Sequence, residues 1–409
     1  MATAGVTGTA RGVRVLLCAR AVSGIGDWAG RVALAVLVYD RSRSPSLTAL
    51  AFAVGLVPWL GPGPYLATLA DRLPHRTVMV AADLLRAGVY VVMVTAVQDP
   101  VLLLPLALVS ALVSPVHSAA GAAALPLVSG ERYARALKAL YATAQATVLS
   151  GYVAGGLLVG TIGARAALAV DALSFLGSAG LLLLLPLTRS AASARSSAGL
   201  LRAAATGLWS ATTTRWVAVV ATVGSAASIG SESLLVIYAT QHHLGHGLAY
   251  GCLLALTPAG GVVFAAALPA QTSARRLAAT VIVLELVGSG VCAVVFLADP
   301  APWAAAAGLA ALGASAVSTI PAAQVITQTV GSDCRGTAFS LLQGALSVVQ
   351  LLAVEAGALL AGVMPAGRAI AVLALPGATA ALIGGIALAR VPEPAPQDDD
   401  ACFAVASRS

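Results

Sequence analysis

The sequence predicts an all-α integral membrane protein, with twelve transmembrane helices in two six-helix bundles. Three observations carry that expectation. The 409 residues are 59% hydrophobic and only 10% charged, at a mean hydropathy of +0.92, whereas soluble domains carry roughly a quarter charged residues. A window of about 20 residues, the length that crosses a bilayer as a helix, separates the chain into twelve apolar runs. The second half also echoes the first at a nearly constant offset. Aromatic residues make up 5%, too few for the girdles of a membrane β-barrel.

In chain order the runs lie near 13–39, 46–70, 77–97, 101–125, 137–160 and 164–187, then 216–240, 247–269, 277–297, 301–325, 337–362 and 368–389. The clearest hairpin is 55–86. Its polar residues Asp71, Arg72, His75 and Arg76 are confined to the turn around Pro74. Lipid along both helices, with water only at the connection, produces that pattern. Other breaks carry Asp99-Pro100, Gly163, Asp299-Pro300 and Gly331-Ser332-Asp333, all turn formers. The first run continues past Asp27 and Arg31 with no cleavage signal, so it reads as a retained span. The stretch Leu200 to Trp209 reads either as an interfacial helix or as a plain linker.

The expected organisation is a cytoplasmic N-terminus (1–12), a first bundle (13–187), a cytoplasmic linker (188–215), a second bundle (216–389) and a disordered, acidic, Pro-containing tail (390–409). Orientation follows from Lys and Arg. With the N-terminus inside, sixteen fall in cytoplasmic segments and four, Arg41, Arg43, Arg165 and Arg368, in outer loops. Both termini are therefore expected in the cytoplasm of a multi-pass cell-membrane protein. The net charge of +7 is explained by those loops, and no nucleic-acid partner is expected. The five cysteines are isolated, without metal-type spacing.

Gly155 to Gly160 (GGLLVG) matches Gly357 to Gly362 (GALLAG) 202 residues later. Arg132 and Arg335 are 203 residues apart, and Ile25-Gly26 and Ile229-Gly230 are 204 apart. Two parallel six-span halves are what a two-bundle transporter requires.

On these residues the chain resembles the major facilitator superfamily over about residues 12–390. Asp71, Arg72 and Arg76 match its loop motif Gly-x-x-x-Asp-Arg-x-Gly-Arg-Arg, while Ala67 and Pro74 replace the glycines and His75 replaces a base. Asp83-Leu-Leu-Arg86 and Gly26-Asp27 further resemble the macrolide- and siderophore-exporter branch. Gly151-Tyr152-Val-Ala-Gly155-Gly156 resembles the antiporter motif of span 5, with Tyr152 replacing its proline. Asp171, Ser174 and Phe175 match a recurrent pattern of span 6 that reads as structural.

Ionisable residues within apolar runs are the candidate site, because each is costly in lipid unless paired or wet. Asp27 lies mid-span among Gly24, Gly26 and Gly30, with Arg31 one turn on as the expected counter-ion. A carboxylate there can load a proton in one facing state and release it in the other. The competing reading is a static ion pair. Glu232 holds the corresponding place in span 7, and the resemblance places spans 1 and 7 at a central cavity. Glu355 in span 11 is a further cavity candidate and Glu285 in span 9 a peripheral one. The resemblance implies a cytoplasmic gate of Asp71, Arg72, Arg76, Asp83 and Arg86, with Asp71 at the positive end of span 11 and the arginines paired with Asp83 and with the loop before span 5; a loop basic purely for orientation would account for Arg72 and Arg76 but not for Asp71. Gly151, Gly155, Gly156 and Gly160 stand at small-xxx-small spacing and read as helix packing. His242-His243-x-x-His246 reads as an interfacial loop rather than a metal site.

No GxxxxGK[ST], HExxH or GxSxG occurs, so neither direct ATP use nor enzymatic catalysis is expected, nor any cofactor or metal. The sequence points to a monomeric secondary transporter exporting small amphipathic or drug-like molecules in exchange for protons, with Asp27 the first-choice proton carrier and Glu232 the second, or the holder of a cationic substrate. Alternatives are a metabolite importer or uniporter of the same fold, and a non-transporting sensor or scaffold.

Overall fold

A computed structural model describes residues 10–60, 73–95, 99–185, 205–244, 248–268, 273–330 and 335–390. Asp71, Arg72, His246, the linker 188–204 and the tail 391–409 lie outside them. Among the described residues ten helices are long and apolar enough to cross a membrane, and a bent pair makes an eleventh. A shorter apolar stretch begins at Pro45 and is described to residue 60.

The first half contains α1 (Ala10–Ser42), α2 (Pro45–Ala53, continuing as a 3₁₀ turn over Val54–Leu60), α3 (His75–Thr95), α4 (Pro100–Ser129), α5 (Tyr133–Ile162) and α6 (Ala164–Leu183). The second contains α7 (Thr212–Ser233, then Leu235–Gln241), α8 (Leu248–Ala266), α9 (Ala274–Glu285, a π-turn over Leu286–Gly290, then Val291–Leu297), α10 (Pro302–Val317, then Thr319–Thr329), α11 (Arg335–Ala361) and α12 (Ala366–Ala389). Helix starts follow local chemistry. Ser44 and Asp99 accept from the backbone N–H of Leu47 and Val101, each followed by Pro at the first helical position, where no N–H is needed. The stretch 205–210 is helical, with Leu208 buried against Ile326 and Val330.

The apolar residues are distributed inside out for water. Leu173, Val294 and Leu359 are 64–71% exposed on outer faces, which only lipid covers at no cost. Inside, small residues bring helices close. In the first half α1 packs on α5 and α6, and α3 on α4 and α6. In the second, α7 packs on α11 and α12, and α8 on α10.

Three helices depart from the straight spans the sequence predicts. α7 bends by 42° between Ser233 and Leu235, α9 carries its π-turn directly after Glu285, and α10 breaks at Ser318. Each lies beside a buried polar group that takes up or redirects backbone geometry, a cause invisible to hydropathy. α5, by contrast, runs unbroken through Tyr152, which keeps the N–H that a proline would have removed.

The halves meet at the end of the bundle away from the termini. There α8 lies on α5, and α2 lies on α11 through Ala49, Ala53, Val354 and Ala358. At Gly251 an added Cβ would stand 2.5 Å from the Gly156 Cα and 2.6 Å from the Tyr152 carbonyl oxygen. Gly251→Val must therefore push this seam apart, at about 1–3 kcal/mol for overpacking. The expected result is a melting temperature lowered by a few degrees in detergent. Gly88→Ala, whose Cβ meets nothing within 4 Å, serves as the control and leaves the melting temperature unchanged or slightly raised, because Ala favours a helix over Gly.

Candidate functional site: a cavity between the halves and a polar cluster behind it

Between the halves, on the side nearer the termini, lies a cavity of about 590 Å³, within the size range of sites for drug-sized ligands. Its walls come from α1, α5, α7, α8 and α10, and are chiefly apolar: Trp28, Leu149, Ile229, Val262, Val317 and Ile320 among them. Glu232 is its carboxyl group. Glu232 comes from the last turn of α7 before the bend, and Oε2 accepts from the Tyr152 hydroxyl of α5 at 2.9 Å. That bond crosses from one half to the other. Tyr152 also meets Trp28 edge to face, with ring centroids 5.1 Å apart. The Thr257 hydroxyl lines the same cavity, buried and without a hydrogen-bond partner among the described residues. The site thus offers one carboxyl group, spare hydroxyls and aromatic faces, a set that suits an amphipathic guest carrying a donor or a positive charge.

Asp27 and Arg31 do not line this cavity. Both face a small polar pocket of about 60 Å³ inside the first half. The counter-ion of Asp27 is not Arg31 but Arg86 of α3, whose Nη2 donates to Asp27 Oδ1. Arg86 is only 4% exposed. Its Nε donates to Ser110 Oγ of α4 at 3.3 Å, and its guanidinium carbon lies 4.1 Å from the Phe175 ring centroid on α6. Asp171, fully buried, stands beside the pair and accepts from Ser174 at 3.1 Å. Gly26 and Gly30 make room for it: a Cβ at either would collide with its carboxylate. Asp171 and Phe175, expected to be structural, are therefore neighbours of the central ion pair.

Arg31 lines the same pocket but makes its own contacts. Its guanidinium sits 4.5 Å from the Trp28 ring centroid and fills the space that Gly55 leaves open, 2.6 Å from where a Cβ would be. Arg31, Trp28, Tyr152 and Glu232 form one line from the first half to the second.

Of the expected gate, Asp71 and Arg72 are outside the described residues. Arg76 Nη1 donates to the Leu185 carbonyl oxygen at 3.3 Å, tying the start of α3 to the end of α6. Arg86, three residues from Asp83 on α3, pairs with Asp27 of α1 instead. Asp83 is instead buried beside His117, with Oδ1 3.4 Å from Nε2. Glu355 is half-buried on α11 and is not among the residues lining the central cavity. Gly151 lies against Trp28 and Ile25, and Gly155 against Ala29 and Val32. Glu285 is fully buried and accepts from Ser318 at 2.6 Å and Ser289 at 3.4 Å. Among the described residues no group of His, Cys, Asp and Glu could hold a metal.

Tyr152 and His117 are the polar residues whose placement the sequence left unread. A signal existed for both, since a phenol or an imidazole within a lipid-length run needs a partner.

A family model of the Major Facilitator Superfamily matches residues 16–354. No curated protein matches the chain. Among solved structures, the chain superposes on nucleoside transporter NupG (D323A mutant) at a TM-score of 0.72, with 11% identity, covering 92% of this chain and 99% of that one. It superposes on the POT family transporter PepTSo at 0.67, with 12% identity and coverage of 92% and 97%. A bacterial homolog of the human lysosomal transporter Spinster, inward-facing and unoccupied, gives 0.62 at 16% identity, covering 93% and 96%. At such identities the likeness is one of fold.

Proposed function

The chain belongs to the major facilitator superfamily, and from that premise we propose that it exports small amphipathic, preferentially cationic molecules in exchange for protons. As a multi-pass membrane transporter it works on a small-molecule substrate. The observation that carries the finer reading is the mainly apolar cavity of about 590 Å³ with Glu232 in its wall. Apolar walls accept a hydrophobic body, and one carboxylate favours a positive charge over a negative one.

Proton exchange is supported by the arrangement of Asp27. It is held by Arg86 yet 27% exposed in its side chain toward a polar pocket, whereas Arg86 is 5% exposed. A proton reaching Asp27 competes with Arg86 for the same oxygen. Loading it frees the guanidinium toward Asp171, breaks the ion-pair link between α1 and α3 and loosens the packing of α1 on α6. Such a two-position ion pair is a bistable element that a proton can bias. The Glu232–Tyr152 bond then reports substrate to the same helix, through Trp28 of α1. With both termini in the cytoplasm of the cell membrane, the cavity near the termini corresponds to an inward-facing state. The gate residues Asp71 and Arg72 would meet α11 in the opposite state.

The test is uptake of the cationic dye ethidium by inside-out-oriented proteoliposomes under an imposed pH gradient. Wild-type protein accumulates the dye, and Asp27→Asn abolishes the gradient-driven component. Equal accumulation by both proteins removes Asp27 from the coupling.

A further inference from the structure

A second cavity lies within the first half, between Asp27 and the end of the bundle that carries Ala10. It holds about 90 Å³ and is lined by Leu16, Ala19, Arg20, His117, Ser118 and Leu140, among others. That is room for several waters, and Arg20, His117 and Ser118 give them polar partners. This space is separate from the substrate cavity, whose walls share none of these residues.

His117, on α4, is 7% exposed, and Asp83, on α3, is completely buried. Their closest atoms are 3.4 Å apart, yet neither Asp83 oxygen nor His117 Nε2 has a hydrogen-bond partner among the described residues. A purely structural pair in a lipid-embedded interior is expected to be fully bonded, because unpaired polar atoms there are costly. Here the two groups face each other with bonding capacity unused. Ser114 of α4 lines the pocket that holds Asp27, and His117 and Ser118, one turn further along the same helix, line this cavity, so α4 borders both spaces. Among the described residues, the charged and titratable groups facing this region and the adjoining Asp27 pocket are Arg20, Asp27 and Arg31 from α1, Asp83, Arg86 and Tyr90 from α3, His117 from α4 and Asp171 from α6. α5 contributes Leu140 to it.

We propose that His117 and Asp83 form a proton relay joining Asp27 to the termini-facing side of the membrane, by a route through the first half that bypasses the substrate cavity. The inference rests on the proton-exchange reading above. In one transfer, the proton on the Asp27 carboxyl passes through intervening water to one imidazole nitrogen of His117. The other ring nitrogen gives up a proton to water in the cavity. The imidazole returns to its neutral form as the other tautomer, with one proton moved, and exchange of its N–H proton with cavity water resets it for the next transfer. Imidazole has two ring nitrogens, so it can accept a proton on one side and release one from the other, and Asp83 Oδ1, 3.4 Å from Nε2, lies against the ring during the transfer. Asp27 can thus lose its proton while substrate occupies the central cavity, so that the two ligands need not share a path.

The test uses the full-length protein in proteoliposomes with ethidium outside and the pH dye pyranine inside. His117→Ala slows gradient-driven ethidium accumulation at least tenfold while gradient-free ethidium exchange continues. Millimolar imidazole restores part of the lost rate, an effect that a packing defect would not give. If His117→Ala does not fold, the shape-conserving His117→Gln gives the same loss of gradient drive with exchange retained. An unchanged gradient-driven rate in the variant overturns the relay, as does a loss that affects exchange equally and resists imidazole. A wild-type protein that shows ethidium exchange but no response to the gradient instead overturns the proton-exchange reading on which the relay depends.

Discussion

Arg86→Met is expected to be the most damaging single substitution in the first bundle. It removes the donor to Asp27, the bond to Ser110 and the cation over Phe175 together. It leaves Asp27 and the fully buried Asp171 side by side without the guanidinium between them. Breaking a buried ion pair from one side costs about 3–5 kcal/mol, because the remaining charge is stranded. That is a large part of a typical folding free energy of roughly 5–15 kcal/mol. The variant should melt far below wild type in detergent and yield little monodisperse protein. Asp27→Asn/Arg86→Met removes both charges and should recover most of the melting temperature, with no gradient-driven transport. Thermal unfolding of the two single variants and the double variant measures this coupling. Additive effects would mean that the pair is incidental.

The second large effect is on substrate. Glu232→Gln keeps the shape of the side chain and its acceptor for Tyr152, but removes the negative charge from the cavity wall. Interactions with a charged partner are worth about 1.5–3 kcal/mol, so apparent affinity for ethidium should fall by roughly 10- to 150-fold. Neutral dyes of similar size should change much less. Tyr152→Phe removes only the hydroxyl that donates to Glu232 at 2.9 Å, and its effect should be a few-fold, about 0.5–1.5 kcal/mol. The two substitutions act on one bond, so their combination should fall short of additivity. A competition series of cationic, neutral and anionic dyes reads the result. Equal losses for all three would show that Glu232 shapes the cavity without selecting charge.

The spans were legible because a lipid-facing helix needs only a local run of apolar residues, and every neighbour in the window contributes to the signal. Asp27 and Glu232 stood out for the same reason, as charges in runs that exclude charge. Their partners did not. Arg86 is 59 residues from Asp27, and Tyr152 is 80 from Glu232, so both pairings depend on how helices pack. The i+4 rule offered Arg31 to Asp27, a pairing that holds on an isolated helix. In the folded protein a better-placed arginine from α3 competed for Asp27, and Trp28 gave Arg31 an aromatic face. The bend of α7 escaped notice because no proline marks it. Ser233, at that bend, donates instead to the Gly230 carbonyl oxygen of its own helix at 2.7 Å. Glu285 looked peripheral by position along the chain. Its surroundings of Ser289, Ser315 and Ser318, with Gly224 leaving room for the carboxylate, come from three different helices.

The central claim is that substrate and proton move in opposite directions through one protein, and a reversed gradient tests it most directly. Proteoliposomes are loaded with ethidium and pyranine at equal pH on both sides, then diluted so that only the dye has a gradient. Exchange predicts that protons enter as ethidium leaves, seen as acidification of the lumen, and that Asp27→Asn removes the proton signal. Ethidium leaving at the wild-type rate with no change in luminal pH would contradict it.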